Sequence, residues 1–199
     1  MQTVPGYRNC HARGVSSVVL DAYADGRPRL RMFIAHENHE LWRNAQPGTG
    51  VLPMSLALHA HRQPLTLTRI AGRPMQVDAD VWDGTPKGQR GGVATLRAWH
   101  YQSQILTGHG RFTLRGQETF AFSPPYVFDC IYMAAADLHT IYVPQGEYAA
   151  WTVHEHERAP DYDEILYSDD DLSAFDFTGM YEPMTESDAK AEIARAFGL

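Results

Sequence analysis

Along the first forty residues the apolar side chains come in short alternating runs. Ser16–Ala22 (SSVVLDA) and Leu30–Ala35 (LRMFIA) have strand length, and Asp25, Gly26, Arg27 and Pro28 between them favour a turn, so the pattern predicts a hairpin. After a loop rich in Gly, Pro and Asn (44–50), residues 52–61 alternate with period two. Leu56 and Leu58 then fall on one face of a predicted strand, and Ser55, Ala57, His59 and His61 on the other. Further strands are predicted over 65–70, 76–82, 93–101, 110–114, 118–122 and 126–133, with a loop over 84–92. A last hairpin is predicted from His139–Val143 and Ala149–His154 about the turn Pro144, Gln145, Gly146. Many short, closely spaced strands point to a sandwich or barrel.

Past Pro160 the pattern changes to an acidic stretch that includes Asp161, Asp163, Glu164 and 169–171, the composition of a solvated extension. It ends in a predicted helix over 185–197. Thr185 with Asp188 resembles a capping box, Ala189, Ile193, Ala196 and Phe197 share a face, and Gly198 suits the stop. The chain is therefore divided into a mostly β domain over 1–160 and an extension over 161–199, whose helix packs on the β domain or on a partner subunit.

Composition narrows the function classes. With 199 residues, 44% of them hydrophobic and 21% charged, the chain can bury a core of its own. A formal charge of −7 and a pI near 5.7, with no cluster of Lys and Arg, argue against a nucleic-acid surface. Cys10 and Cys130 are too few for a disulfide scaffold and lack zinc-site spacing, so two reduced thiols are expected. Residues 1–20 carry no leader pattern, and no run approaches the roughly 20 apolar residues that span a bilayer. A cytoplasmic protein with no membrane partner is expected.

The candidate chemistry centres on His59 and His61. Two imidazoles two residues apart on a strand face the same way and can share one metal ion, and small Ser55 and Ala57 on that face leave room for an ion or ligand inside a barrel. Arg62 can bind a carboxylate bidentately and Gln63 can orient a metal-bound water; with Trp151 they are the candidate ligand-binding residues. His36–Trp42 (HENHELW) lacks the four-residue histidine spacing of a zincin helix and is expected to be a surface turn. His154, Glu155 and His156 are expected to be solvated residues at the rim of the last strand, with Glu155 on the face of Trp151 and Val153. Trp82, Trp99 and Tyr101 are assigned to the core.

A family resemblance rests on two runs. His59-Ala-His61, followed by Leu65–Ile70 and Gly72, resembles the first cupin motif, and 138–153 (LHTIYVPQGEYAAWTV) resembles the second. The position matching the family's glutamate is Thr66, the position matching its second-motif histidine is Ala149, and His139 precedes the turn. In this the chain looks like the three-histidine thiol dioxygenase branch, although that branch's Ser-His-Tyr set is not visible in 149–155. The resemblance implies a cupin-type double-stranded β-helix, or jelly-roll barrel, with a short C-terminal helix. It implies a divalent transition metal on His59, His61 and His139, with iron the family's metal and nickel or zinc also suited. The implied protein is a metal-dependent oxygenase acting on a small molecule, and a homodimer. Two alternatives stay open: a non-catalytic cupin that binds a small molecule or protein partner, and a metal-free sugar epimerase or isomerase using His61 or His139 with Asp137.

Overall fold

A computed structural model describes residues 6–10, 13–26, 28–41, 58–60, 64–81, 92–98, 104–107, 110–113, 116–134, 137–156, 165–167 and 182–199. The described chain is mostly antiparallel β, in two seven-stranded sheets and a separate hairpin, with one helix at its C-terminal end. The first sheet runs, in spatial order, β12 (Cys130–Met133), β5 (Leu65–Ala71), β14 (Ala149–Glu155), β3 (Pro28–Ala35), β2 (Val15–Ala22), β1 (Gly6–Arg8) and β16 (Glu182–Pro183). The second runs β15 (Ile165–Tyr167), β4 (Leu58–Ala60), β13 (Leu138–Tyr142), β6 (Met75–Val81), β10 (Gly116–Phe122) and β7 (Gly92–Ala98), with β11 (Tyr126–Val127) also on β6. The hairpin joins β8 (Gln104–Thr107) to β9 (Gly110–Thr113).

Eight of these strands are nested first with last. β3 pairs with β14, β4 with β13, β5 with β12 and β6 with β10. Two cross-pairings, β14 with β5 and β13 with β6, gather the four pairs into the two sheets. The β2–β3 hairpin forms as its pattern predicts. The expected β13–β14 hairpin does not: β13 lies in the second sheet and β14 in the first. Glu147 N–H donates to Pro144 O at 3.1 Å, so the Pro-x-Gly turn forms, but it carries the chain across from one sheet to the other. The single strand expected over 126–133 is likewise two, β11 on β6 and β12 on β5, broken at Phe128–Asp129.

Side-chain alternation decides what each face buries. On the inner face of the first sheet Phe33, Leu65, Leu67, Met133, Trp151 and Val153 form one core cluster, and Ile141 joins it from the second sheet. On its outer face Val18, Met32, Ile34 and Ala150 pack under Ala189 and Ala196 of α1 (Glu186–Phe197). These central strands are buried on both faces, and their apolar runs are correspondingly near continuous. The helix begins where its cap predicts, with Thr185 Oγ1 accepting from Asp188 N–H at 3.1 Å, and stops at left-handed Gly198. Phe197, expected on the packed face, is exposed. Within 161–199 the described elements pack on the β domain: β15 pairs with β4, β16 with β1, and α1 covers β2 and β5.

Gly72, between β5 and β6, is required by close approach. Its φ is +67°, and a Cβ there would stand 2.0 Å from the Tyr148 carbonyl oxygen. Cys10 is buried, Cys130 is exposed, and neither is in a disulfide. Among the described residues no helix is long and apolar enough to cross a membrane.

Candidate functional site

β13 alternates between its neighbours, so His139 and Ile141 share one face. His139 is 2% exposed, and a polar network from β6 holds it. Its Nδ1 lies 3.1 Å from Gln76 Oε1, and Gln76 is itself wholly buried. Gln76 Nε2 donates to Asp78 Oδ1 at 2.8 Å and lies 3.4 Å from Met133 Sδ. Asp78 Oδ2 accepts from Tyr126 Oη at 3.0 Å. Partial burial raises the Tyr126 phenol above its ordinary pKa, and the Asp78 charge and hydrogen bond add to that. A line of polar side chains thus runs from exposed Tyr126 inward to the His139 ring.

The ladder brings a second expected ligand alongside. His59 stands directly opposite His139 in the β4–β13 pair, and Asp78 stands opposite His139 on the other side, in β6. Directly opposed residues are the nearest neighbours an antiparallel ladder offers, with Cα atoms about 4.5–5.5 Å apart. His61, Arg62 and Gln63 lie outside the described residues, as do Trp82, Trp99 and Tyr101. Among the described residues no group of three His, Cys, Asp or Glu side chains is placed to hold a metal ion. Of the three expected ligands, His139 is the one whose side chain is described.

The remaining candidates separate by face. Trp151 is 1% exposed and stacks on Phe33, with ring centroids 5.9 Å apart, as part of the core. Glu155, expected at a solvated rim, is 1% exposed and forms a 2.9 Å ion pair with Arg31. It continues the inward alternation of Trp151 and Val153, and burial follows because a cation from β3 meets it there. Glu155 also stands in register with Leu65, and Leu65 with Met133, so this charge pair occupies the same end of the first sheet as the residue touching Gln76. His154 and His156 do lie on the outer face, 4.6 Å apart, with Thr66 Oγ1 2.6 Å from His156 Nε2. Thr66 faces outward, so the position matching the cupin glutamate is turned away from the core. Partial burial and then the neighbouring His156 lower the His154 pKa.

Within the expected surface turn, residues 36–41 are described: Glu37 and Asn38 are exposed, whereas His39 turns inward. His39 is 2% exposed; its Nε2–H donates to Pro144 O at 3.2 Å and its Nδ1 accepts from Leu41 N–H at 3.2 Å. Gly14, with φ +75°, lets this turn sit close: a Cβ there would lie 2.6 Å from His39 Cα. Nearby, His36 Nε2 lies 3.1 Å from Ser16 Oγ and 3.3 Å from Glu192 Oε1. Serine and acid meet the same ring nitrogen, whereas a catalytic triad needs them on opposite ones. These residues border an open groove of about 610 Å³ that also carries Arg8, Arg13, Arg195, Glu37 and Glu40. Its cations and anions nearly balance, which selects no ligand charge.

Sequence reasoning missed Gln76, Asp78 and Arg31. The signal was present in β6, where Gln76, Asp78 and Asp80 alternate with apolar Val77 and Ala79. A polar stripe on a central strand asks for buried partners. Asp137 serves a turn: its Oδ2 accepts from Ala134 N–H at 2.9 Å, while His139 turns to Gln76. No protein-family model matches the chain, and no curated protein matches its sequence.

Proposed function

We propose that the chain is a cupin-type jelly-roll protein that binds one divalent transition metal through His59, His61 and His139 and acts on a small molecule held beside it. The fold part of this reading is supported by the nesting of β3–β14, β4–β13, β5–β12 and β6–β10, which is how a long hairpin rolls into two four-stranded halves. The observation that carries the metal site is the register of His59 against His139. Two residues 80 positions apart, singled out by separate motifs, are neighbours in one ladder.

The donor set fits such an ion. Neutral imidazoles suit iron(II), nickel and zinc, and three of them leave coordination positions for water or substrate. When bound, the metal would supply Lewis acidity or a site for dioxygen activation. The chain's own residues would orient the ligands: Gln76 holds His139 from behind, and the packed Trp151–Phe33 core keeps bulk water from the inner face. Arg31 and Glu155 bring a largely buried charge pair to the inner face of the first sheet.

Elemental analysis of the freshly purified protein tests this reading. About one iron, nickel or zinc per chain, lost in a His59→Ala, His61→Ala double variant, is expected. No metal in the wild type, or equal metal in both proteins, would contradict it.

A further inference from the structure

We propose that Gln76 is a positioning residue that sets the tautomer of His139, holding the ring proton on Nδ1 and the lone pair on Nε2. The argument runs through the amide of Gln76. Its nitrogen end lies 2.8 Å from Asp78 Oδ1 and 3.4 Å from Met133 Sδ. A carboxylate and a thioether have no proton to give, so both contacts require a donor from Gln76, and the Nε2 amide group supplies two N–H bonds. The opposite end of the side chain is then its carbonyl, an acceptor, and it lies 3.1 Å from His139 Nδ1. An acceptor at that distance calls for Nδ1–H. In a neutral imidazole the other nitrogen, Nε2, carries the lone pair.

Tyr126 anchors the outer end. Its hydroxyl donates to Asp78 Oδ2 while Gln76 Nε2 donates to Oδ1, so both carboxylate oxygens are held, and Ser123 Oγ ties the Asp78 main chain by accepting from its N–H at 2.9 Å. Gln76 is buried completely, and rotating its amide would set its carbonyl against the Asp78 carboxylate and leave the N–H···Oδ1 bond unmade. The donors therefore converge on the Asp78 carboxylate, from Tyr126 at the surface and from the His139 ring through Gln76. The consequence for metal binding rests on the function proposed above: a ligating histidine presents the unprotonated nitrogen, and an acceptor behind the other nitrogen raises its basicity.

The test uses the metal-free full-length protein and reads the ring directly. In nitrogen-15 NMR at about pH 8.5, above the ordinary histidine range, the His139 resonances are identified by their loss in His139→Gln. Wild type is expected to show a pyrrole-type Nδ1 and a pyridine-type Nε2. Gln76→Leu, which removes the acceptor, lowers the Nδ1–H fraction several-fold. A wild-type ring with its proton on Nε2, or an unchanged ratio in Gln76→Leu, overturns the proposal. The wild-type pattern decides the matter even where Gln76→Leu fails to fold. The tautomer result is independent of metal content, so an absent metal defeats the metal reading alone.

Discussion

The turn after β3 and the middle of β13 each bury a histidine to 2% exposure, and they hold the two rings in opposite ways. His39 gives Nε2–H to the Pro144 carbonyl and takes the Leu41 amide on Nδ1, so both nitrogens are spent on main chain. His139 meets a side-chain amide at Nδ1, and that amide is itself oriented by a carboxylate. A ring bonded to backbone on both sides works as a bolt between chain segments. A ring met by an oriented side-chain acceptor is instead tied to a relay that can set its tautomer, which is how metal-ligating histidines are oriented. Burial alone does not distinguish the two; the partners do.

The largest expected effect lies at another buried polar position, the Arg31–Glu155 pair. Glu155→Ala leaves a largely buried guanidinium without this partner and is expected to cost about 3–5 kcal/mol in chemical denaturation. A loss under about 1 kcal/mol would mean that water reaches Arg31 freely.

Next comes His39→Ala. It strands the Pro144 carbonyl and the Leu41 amide, each worth about 1–3 kcal/mol when left unsatisfied. A stability loss of about 2–4 kcal/mol is expected with metal content unchanged, and a concurrent loss of metal would erase the contrast with His139. The same variant carries a pH signature. Burial, the dominant cause, lowers the His39 pKa in the folded protein, so near its ordinary value of about 6.5 the unfolded chain holds more protons than the folded one. The contribution to stability is complete above about pH 6.5 and is lost progressively as pH falls from there through the lower pKa of the folded protein. Wild-type melting temperature should decline on acidification below neutral, and His39→Ala should flatten the decline. His154, also lowered, retains a share of the slope.

These partners explain how far the sequence could be read. Strand periodicity located most of the strands, and Thr185 located the helix start, because both signals are local. The fate of the chain after Pro144–Gly146 was not legible: a turn sequence encodes the reversal but not which sheet the next strand joins. Glu155 was misread as solvated because its cation is 124 residues away, and His39 because its acceptor is 105 residues away. The His59–His139 neighbourhood was anticipated from motif resemblance, whereas Gln76 was not, since nothing in the local sequence says which histidine a buried amide will face.

The smallest effect serves as the control for the comparison. Thr185→Ala removes the cap of α1, on the outer face of the first sheet, and is expected to cost about 1 kcal/mol. It should leave metal content and the His139 tautomer untouched.

The central claim, that His139 and its ladder neighbour His59 ligate one metal, is tested most directly by X-ray absorption at the bound metal in wild type and in His139→Ala. The account predicts three imidazoles in the wild-type shell, with one missing or the metal lost in the variant. A wild-type shell without imidazole, or a shell unchanged by His139→Ala, would contradict it.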